Sequence, residues 1–444
     1  MPIVSENSPV TFQDNLPDKV DVTIIGGGVI GVCTAWFLAR AGVSVLVCEK
    51  GRIAGEQSSR NWGWVRTQGR DEAEVPIAKE SLRIWDELSD ELGNELGYSR
   101  EGILFLADTE KEMAEFEDWL SIAESNGLDT RLVSAGELGK KIGYDAHRWQ
   151  GAMYTPSDAR AEPFMAVPAI ARAAQAKGVT IIENCAVRSV EKEAGAVNEV
   201  ITELGPVRTN TVMLAGGAWS STFLANLGIA FPQLLVKGTV VRTKPVGEGF
   251  SGAAGSHKFT FRRRQDGGYT VTLGNYLEHY VNTESFRYCM KFLPALSVTW
   301  TGLRLKLDNS LMDGLFPSRS WQADEETPFE RTRVLNPAPN RSAVKKIESM
   351  MGQQLPLLDG AGIEEAWAGM IDAPPDFVPV MDELQGFKGF YIATGFSGHG
   401  FGIGPGAGKV MADMIQGKDI EFDLNRFRFP RFYDGSPIRV GPAL

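Results

Sequence analysis

The first residues in this chain that suggest chemistry are three glycines at the spacing of a dinucleotide site. Gly26, Gly28 and Gly31 form G-x-G-x-x-G directly after the short apolar segment 21–25. The first glycine permits a tight turn, the second lets a pyrophosphate approach the backbone, and the third lets a helix pack closely on a strand. A helix that begins here would also point its positive N-terminal end at the phosphates.

A carboxylate follows at the position that the same site requires. Residues 43–50 are typical of a second strand, and Glu49 near its end lies 18 residues after Gly31. An acidic side chain at this place can accept hydrogen bonds from both hydroxyls of an adenosine ribose. The strand, helix, strand and acid therefore predict a bound adenine dinucleotide, whereas the three glycines alone would indicate only a tight turn.

The residues beyond the second strand favour FAD over NAD. The stretch 55–63, GEQSSRNWG, adds small and hydrogen-bonding side chains where a longer cofactor would run on to its isoalloxazine ring. No second strand–GxGxxG–helix unit is available for a nicotinamide partner, and no CxxxxC pair is available for disulfide reduction. We therefore expect FAD to be reduced by the substrate itself.

A second glycine-rich stretch lies near the C-terminus. A strand, FYIATG, is followed by the turn FSGHGFGIGPG and then by a helix, AGKVMADMIQG. This turn would bring bare backbone and a second helix N-terminus to the flavin ring, where positive charge stabilises the anionic reduced form. We assign that role to the backbone around Gly398–Phe401, and His399 is either a cofactor contact or a bystander on the turn.

The overall composition fits a folded protein with two ligand-facing stretches of backbone. Glycine makes up 49 of the 444 residues, and 18 of these glycines fall within 26–69 and 386–408. A net charge of −11 without a long basic run argues against nucleic acid as a partner. Four widely spaced cysteines predict neither a disulfide framework nor a metal site, and favour the cytoplasm. No signal peptide and no integral membrane segment are expected.

The order of strands and helices predicts an α/β fold with a second, α+β domain. A Rossmann-like FAD-binding domain is expected to be discontinuous and to comprise residues 1–88, 151–230 and 355–444. An interleaved β-sheet domain for the substrate is expected to comprise residues 89–150 and 231–354, with 280–350 as an insertion.

These motifs together resemble the D-amino-acid-oxidase (DAO) superfamily of flavin amine oxidoreductases. The resemblance covers nearly the whole chain and rests on IIGGGVIG, VMLAGGAWS, PPDFVPV and YIATGFSGHGFGIGP. EKGRIAGEQSSR, TELGPVRTNTVMLAGG and ESFRYCMKFLPAL are similar, more specifically, to bacterial membrane-associated L-amino acid deaminases. The resemblance implies a DAO/glutathione-reductase-like FAD fold, with FAD at the interface between the two domains.

The resemblance also implies that FAD is noncovalent, because neither EEAWAGMIDAPPD nor EQSSRNWGW carries the cysteine or histidine that attaches FAD in some members. With the motif residues included, the expected contacts of FAD are Gly26, Gly28, Val29, Ile30, Gly31, Glu49, Lys50, Gln57, Ser58, Ser59, Arg60, Asn61, Trp62, Gly63, Val187, Ala215, Gly216, Trp219, Gly395, Gly398, His399, Gly400 and Phe401.

An amino acid substrate needs a cation for its carboxylate, and the planar fork of arginine suits this task. In the strand FTFRRRQDGGYTV, alternation places Arg262 and Arg264 on one face and Arg263 on the other. Resemblance to the deaminases favours Arg262 as the anchor. The alternative is a solvated hairpin end with three surface charges, and Arg66 is a second candidate.

Three more residues are expected near the reacting atoms. Trp64 would form an aromatic wall beside the substrate, with core packing as the alternative. Met370 and Phe396 are placed near the flavin by the resemblance, because both segments converge there in the superfamily.

The expected function is FAD-dependent oxidation of the Cα–N bond of an amino acid by hydride transfer to flavin N5. The imino acid would then hydrolyse to a 2-oxo acid and ammonia. The alternatives are oxidation of an N-substituted amino acid of the sarcosine, glycine, imino acid or opine type, D-amino acid dehydrogenation, and a nonenzymatic FAD-binding module.

The electron acceptor is expected to be O2 or a respiratory or quinone acceptor. Thr272 stands where sarcosine oxidases carry an oxygen-activating lysine, which favours a dehydrogenase. No N-terminal membrane anchor like that of the resembling deaminases is expected. Residues 286–316 are apolar enough for peripheral contact with a membrane, and core packing is the alternative.

Overall fold

The computed structural model describes residues 3–144, 148–307 and 319–441, so part of the predicted insertion, including its apolar run LMDGLF, lies outside the described residues. The strands are β1 (Val22–Ile25), β2 (Val45–Glu49), β3 (Trp64–Val65), β4 (Ile103–Ala107), β5 (Arg131–Ser134), β6 (Gly151–Thr155), β7 (Ala159–Arg160), β8 (Thr180–Glu183), β9 (Val187–Glu193), β10 (Ala196–Thr202), β11 (Gly205–Arg208), β12 (Thr211–Leu214), β13 (Leu234–Thr243), β14 (Ala253–Gly255), β15 (Thr260–Arg263), β16 (Tyr269–Tyr280), β17 (Leu303–Lys306), β18 (Ile363–Ala373), β19 (Val380–Glu383) and β20 (Phe390–Thr394).

The α-helices of the described residues are α1 (Val29–Arg40), α2 (Gln57–Arg60), α3 (Val75–Leu92), α4 (Glu110–Ser125), α5 (Ala135–Ile142), α6 (Pro163–Ala176), α7 (Ser220–Asn226), α8 (Thr283–Arg287), α9 (Cys289–Thr299), α10 (Pro328–Arg331), α11 (Arg341–Gln354) and α12 (Gly400–Ile415).

A six-stranded sheet forms the first domain, in the order β19-β20-β12-β1-β2-β8. The strands from β20 to β8 are parallel, and β19 is antiparallel to β20. Strand β1 reads VTII and β2 reads VLVCE, continuous apolar runs that suit strands covered on both faces. Helices α1, α6 and α12 pack together beside this sheet. The predicted Rossmann-like domain is confirmed.

A nine-stranded mixed sheet forms the second domain, in the order β18-β13-β16-β15-β14-β4-β6-β5, with β17 paired to β16. One face buries a core that includes Leu104, Val241 and Phe261. The amphipathic helix α11 packs onto this core through Ala343 and Ile347. The fold is therefore α/β with a second, sheet-based domain.

Two of the predicted domain boundaries are wrong. Strand β6, assigned to the FAD-binding domain, pairs with β4 in the nine-stranded sheet, with Ile103 opposite Thr155. The prediction places strand β18 in the FAD-binding domain as well. This strand lies in the same nine-stranded sheet, antiparallel to β13, with Leu234 opposite Ala373. Strand pairing is a choice between distant segments, so the pattern of either strand alone could not identify its partner.

The start of the last helix also differs from the prediction. Helix α12 begins at Gly400, so most of the predicted glycine turn is helical. A Cβ atom added at Gly404 would lie 2.6 Å from Val29 Cγ2, and one added at Gly408 would lie 2.6 Å from Cys33 Cβ. These glycines let α12 lie directly against α1, because the absence of a side chain removes the clash. That close packing outweighs the low helix propensity of glycine.

This packing predicts opposite effects for two Gly→Ala substitutions in helices. Gly408→Ala should lower the free energy of unfolding by about 1–3 kcal/mol, because the new methyl group overpacks the α1–α12 contact. Gly136→Ala is the matched control, since nothing lies within 4 Å of its added Cβ in α5. The control should raise stability by up to about 1 kcal/mol. Urea unfolding of both variants measures the difference, and equal shifts would contradict the packing argument.

Candidate active site

A cavity of about 500 Å³ brings the two glycine-rich stretches together. Gly26 and Gly28 of the first stretch line it, as do residues 396–401 of the second. The two stretches meet because β1 and β20 run parallel in the same sheet, separated only by β12, so both end at one edge. In open α/β sheets, ligands bind at this carboxyl edge of the strands.

The first glycine loop forms a tight cradle at the start of α1. Gly26 has a φ of +112°, and its added Cβ would lie 2.5 Å from the carbonyl oxygen of Ala215. Gly28 is the N-cap residue of α1 and offers no capping side chain. Ser58 Oγ accepts a hydrogen bond from Val29 N at 2.9 Å. With no acidic residue in its first turn, α1 presents an N-terminus suited to a pyrophosphate.

Glu49 stands at the end of β2 beside this loop. Its Oε2 accepts from Gly27 N at 2.7 Å, and its Oε1 accepts from Gly51 N at 2.7 Å. Burial raises the pKa of Glu49 to about 7, even though Lys50 and these two backbone donors favour the charged form. Ribose hydroxyls, which donate hydrogen bonds, would further stabilise the carboxylate. The site thus has an acid where an adenosine ribose requires one.

Most of the predicted cofactor residues line this cavity: Gly26, Gly28, Val29, Ile30, Glu49, Lys50, Gln57, Ser58, Arg60, Asn61, Trp62, Val187, Ala215, Gly216, Trp219, Gly398, His399, Gly400 and Phe401. Their contact with the cofactor itself stays a prediction.

Four of the predicted contacts, Gly31, Ser59, Gly63 and Gly395, are not among the residues that line the cavity, and their contact with the cofactor also stays a prediction. The added Cβ of Gly31 would lie 2.1 Å from Gly26 O, so this glycine allows α1 to pack closely on the loop. Gly63 and Gly395 hold positive φ angles of +77° and +74°, which favour glycine. Ser59 is fully buried, and its hydroxyl donates to a backbone carbonyl of the same helical turn.

Two lining cations are already engaged within the protein. Arg60 donates to Asn336 Oδ1 at 2.7 Å, to Ala368 O at 2.9 Å and to Val4 O at 2.8 Å. Lys50 Nζ donates to Glu56 Oε1 at 2.7 Å. Both side chains therefore shape the wall of the cavity and do not offer free charges to it.

The N-terminus of α12 forms another part of the cavity wall, with His399 as its N-cap residue. His399 Nδ1 lies 3.5 Å from Glu74 Oε2. Burial, together with the positive charge of Arg70, lowers the pKa of His399 to about 4. The ring is therefore neutral at neutral pH and adds no charge to the helix end. A direct contact between His399 and the cofactor stays a prediction.

Arg262 is not placed to bind a substrate, which corrects the prediction made for it. Its side chain is 1% exposed and does not line the cavity. It forms a two-bond ion pair with Glu162, at 2.8 and 3.1 Å, and its Nε donates to Trp62 O at 2.5 Å. Although burial alone would raise it, the Arg262 charge helps hold the pKa of Glu162 below its usual range. The partner lies 100 residues away, where strand alternation carries no information.

The other two arginines of that strand are also occupied. Arg264 pairs with Asp266 at 2.6 Å, and Arg263 Nη1 donates to Gly247 O at 3.0 Å. Arg262 and Arg264 are the buried members, as strand alternation predicted. The alternative of three solvated surface charges is therefore wrong as well.

Arg66, the second candidate, does line the cavity. It follows β3 and is partly exposed, and its guanidinium lies 5.2 Å from the centre of the Phe105 ring. One of its Nη atoms donates to Gln68 O. Burial and the neighbouring Arg70 charge lower the pKa of Arg66. Because this cation is poorly compensated, an anion bound beside it would relieve the electrostatic penalty.

Trp64, Met370 and Phe396 all line the cavity, and their place near the reacting atoms stays a prediction. Trp64 stands edge-on to Trp62, with ring centres 5.8 Å apart, and 5.9 Å from the ring centre of Phe105. Sequence reasoning missed one side of this aromatic wall, formed by Phe105, Phe116 and Trp119. Phe116 and Trp119 are three residues apart in α4, a helical spacing that could have indicated a shared face.

The parallel sheet, the glycine cradle and the acid at the end of β2 define a dinucleotide-binding flavoprotein fold. The residues present fit FAD: the cradle admits a pyrophosphate, Glu49 suits the ribose, and the same cavity continues to the second helix end. The chain matches the profile of the family described as "DAO: FAD dependent oxidoreductase" over residues 21–414. The protein belongs to this family, whose members depend on FAD.

Curated relatives span this family. The chain is 26% identical to sarcosine oxidase subunit beta of an Arthrobacter species over 454 residues, which cover 98% of this chain and 97% of that one. It is 25% identical to human mitochondrial sarcosine dehydrogenase over 430 residues, 94% of this chain. The chain spans only 42% of the length of that relative.

Solved structures show the same architecture. The L-amino acid deaminase from Proteus myxofaciens, in complex with anthranilate, matches with a TM-score of 0.90 and 28% identity, over 97% of this chain and 100% of that one. The L-proline dehydrogenase from P. horikoshii matches with a TM-score of 0.78 and 25% identity, over 96% and 100% of the two chains. These neighbours are amino acid oxidoreductases, so the predicted family and fold are confirmed.

In the ranges 3–144, 148–307 and 319–441, none of the helices combines the length and apolar character needed to cross a bilayer.

The Arg262–Glu162 pair predicts a loss of stability rather than a specific loss of substrate binding. Arg262→Met should lower the free energy of unfolding by about 3–5 kcal/mol, because Glu162 would be left buried without its counter-charge. Adding Glu162→Leu should recover most of this loss. Urea unfolding measures both effects. Unchanged stability together with a raised KM would return Arg262 to the role of substrate anchor.

The raised pKa of Glu49 predicts that FAD affinity depends on pH. Below pH 7 the carboxyl of the FAD-free protein is protonated, so FAD binding must expel a proton to gain the carboxylate as acceptor. The Kd for FAD should therefore rise as the pH falls. Well below pH 7, the Kd should increase by about tenfold for each pH unit. Glu49→Gln should bind FAD more weakly and lose this dependence. Quenching of FAD fluorescence between pH 5.5 and 8 tests it, and parallel profiles would contradict it.

Proposed function

We propose that the protein oxidises the Cα–N bond of an amino acid and yields an imino acid that hydrolyses to a 2-oxo acid and ammonia. The observation that carries this proposal is one cavity that joins the FAD cradle to an arginine among aromatic side chains. When bound, FAD supplies the acceptor for the hydride that leaves Cα. The protein must hold the substrate so that this C–H bond faces the acceptor.

Arg66 is the proposed anchor of the substrate carboxylate. It is a poorly compensated cation on the cavity wall, whereas Arg60 and Arg262 are already bonded to protein acceptors. Arg70 lies behind it and is buried, with its Nε donating to Arg66 O at 3.4 Å. Arg70 therefore supports the Arg66 backbone and adds positive charge to the same end of the cavity.

The aromatic wall sets the kind of side chain that the substrate can carry. Trp62, Trp64, Phe105, Phe116 and Trp119 border the region around Arg66 with apolar surface. A bulky apolar side chain would fill this space and exclude water from the reacting atoms. Met370 on β18 and Phe396 after β20 are proposed to bound the reaction site near the flavin.

A secondary amine substrate is the second candidate. The match to sarcosine oxidase subunit beta covers nearly all of both chains and supports oxidation of an N-substituted amino acid by the same site. The match to the Proteus deaminase, with its higher identity, supports a primary amine. Dehydrogenation of a D-amino acid would use the same residues with the substrate bound in mirrored orientation.

The proposed acceptor of the electrons is a respiratory or quinone-type oxidant, with O2 as the alternative. Thr272 lines the cavity where an oxygen-activating lysine would be expected, and Lys50 is the only lysine among the described lining residues. Lys50 is already bonded to Glu56. The four described cysteines are free, in keeping with a proposed cytoplasmic location.

An exposed apolar face supports peripheral membrane contact. Phe286 and Met290 are each 74% exposed, and Leu293, Val298, Trp300, Leu305 and Leu307 of the same stretch of chain are exposed as well. Arg287, which pairs with Glu284, and Arg304 are exposed in the same stretch of chain. Apolar groups inserted between basic residues suit the surface of an anionic bilayer.

Anaerobic mixing with a panel of L-, D- and N-alkyl amino acids tests the proposed reaction. A substrate should bleach the visible absorbance of the oxidised flavin. Ammonia as product would establish a primary amine, whereas an alkylamine or aldehyde would establish the second candidate. Absence of bleaching across the panel would refute amino acid oxidation.

Arg66→Met should raise the KM for the substrate by roughly 10- to 150-fold, because a charge-assisted hydrogen bond to the carboxylate contributes about 1.5–3 kcal/mol. The Kd for anthranilate, the carboxylate bound to the Proteus myxofaciens deaminase, should rise by the same factor. Arg66→Lys should keep part of this affinity. Arg83→Met, at an exposed position on α3, is the matched control. FAD should stay bound in all three variants. Wild-type affinities in Arg66→Met would exclude Arg66 as the anchor.

The apolar face predicts binding to anionic vesicles. Replacing Phe286, Met290 and Trp300 together by serine should remove most of the protein that co-sediments with vesicles of phosphatidylglycerol. Leu204→Ser is the matched control, because Leu204 is 55% exposed in the turn between β10 and β11. Equal co-sedimentation of the wild type and the triple variant would contradict the proposed membrane contact.

A further inference from the structure

One segment of the predicted insertion packs on the cofactor domain and not on the substrate sheet. We call residues 327–336 the strap; they comprise α10 and the residues that flank it. Phe329 of the strap lines the same cavity as Glu49. Its ring meets those of Trp219 and Phe223, at 5.8 and 5.9 Å between centres. The strap therefore contributes a wall at the ribose end of the cavity.

The loop after β2 is bonded to the strap along its length. Lys50 Nζ donates to Thr332 O at 2.8 Å and to Arg333 O at 3.0 Å. Glu56 Oε1 accepts from Leu335 N at 3.0 Å. A Cβ added at Gly51 would lie 1.9 Å from Arg333 O, so the two backbones are in direct contact. The strap cannot move away without breaking these bonds.

The far side of the strap is tied to the strands beside the cavity. Arg333 forms an ion pair with Glu203, and its Nη1 also donates to Lys50 O at 3.0 Å. Glu203 Oε1 in turn accepts from Ala186 N at 2.6 Å, and Ala186 lines the cavity. Arg333 and Glu203 thus link the loop after β2 to Ala186, in the segment after β8. This link crosses the end of the cavity at which Glu49 would bind the ribose.

We propose that the strap is a cofactor clamp that holds the adenosine half of FAD and limits the rate at which FAD leaves. The predicted insertion would then retain the cofactor through residues 327–336. This role concerns FAD alone, so it stands whether or not the proposed amino acid oxidation is confirmed.

Release of FAD from the holoprotein tests the clamp, because free FAD becomes fluorescent after dilution. Arg333→Met and Glu203→Gln should each accelerate release about tenfold or more, since each removes the same charge-assisted link. The double variant should release FAD no faster than the faster single variant, because both substitutions break the same ion pair. Gly51→Ala, which must displace the strap from the other side, should also accelerate release.

Arg100→Met is the matched control. Arg100 likewise makes two bonds to a carboxylate, that of Asp86, and one to a carbonyl, that of Ser157, but neither Arg100 nor Asp86 lines the cavity. This variant should release FAD at the wild-type rate. Wild-type release from Arg333→Met and Glu203→Gln, or equal acceleration in Arg100→Met, would overturn the clamp.

Hydrogen exchange on the wild-type protein provides a test without any variant. If the strap closes over bound FAD, amides of residues 327–336 should exchange more slowly in the holoprotein than after FAD removal. Helix α5, whose buried residues Leu138 and Ile142 belong to the core of the second domain, should show no difference between the two forms. Identical exchange of the strap with and without FAD would overturn the proposal.

Discussion

The close approach of α1 and α12 is the constraint on which the rest of the structure depends. Two helix N-termini can face one cofactor only if the helices lie side by side at the same sheet edge. Gly404 and Gly408 make this possible, because any side chain there would collide with Val29 or Cys33 of α1. The glycine excess near the C-terminus therefore serves helix packing as well as the cavity, to which Gly398 and Gly400 contribute.

The buried arginines fall into two groups, those paired with a carboxylate and those without a close counter-charge. Arg262 pairs with Glu162 and donates a hydrogen bond to the backbone of Trp62. These bonds join the second sheet to the cofactor domain. At Arg66, burial and the charge of Arg70 lower the pKa more than the charges of Asp158 and Glu74 raise it. A buried pair that is satisfied supports structure, whereas a cation left short of counter-charge beside a cavity favours binding an anion.

The predicted insertion does not act as one unit. Helix α11 packs on the nine-stranded sheet, residues 327–336 are bonded to the cofactor domain, and several apolar side chains between Phe286 and Leu307 are exposed. Each part has the side chains that its surroundings require: apolar residues on one helix face, charged and backbone groups that bridge to the loop after β2, and exposed apolar groups between arginines. Composition alone could mark the segment as unusual but could not separate these three environments.

The sequence by itself determined the dinucleotide site, because the strand, the glycine loop, α1 and Glu49 follow one another within about thirty residues and are built by local rules of turn geometry and periodicity. It also determined that Arg262 and Arg263 point to opposite faces, since alternation is a property of one strand. Only the tertiary structure decided that Arg262 meets Glu162, that β6 and β18 join the second sheet, and that the residues after Gly400 are helical. Each of these depends on which distant surfaces meet, and no local pattern encodes a partner.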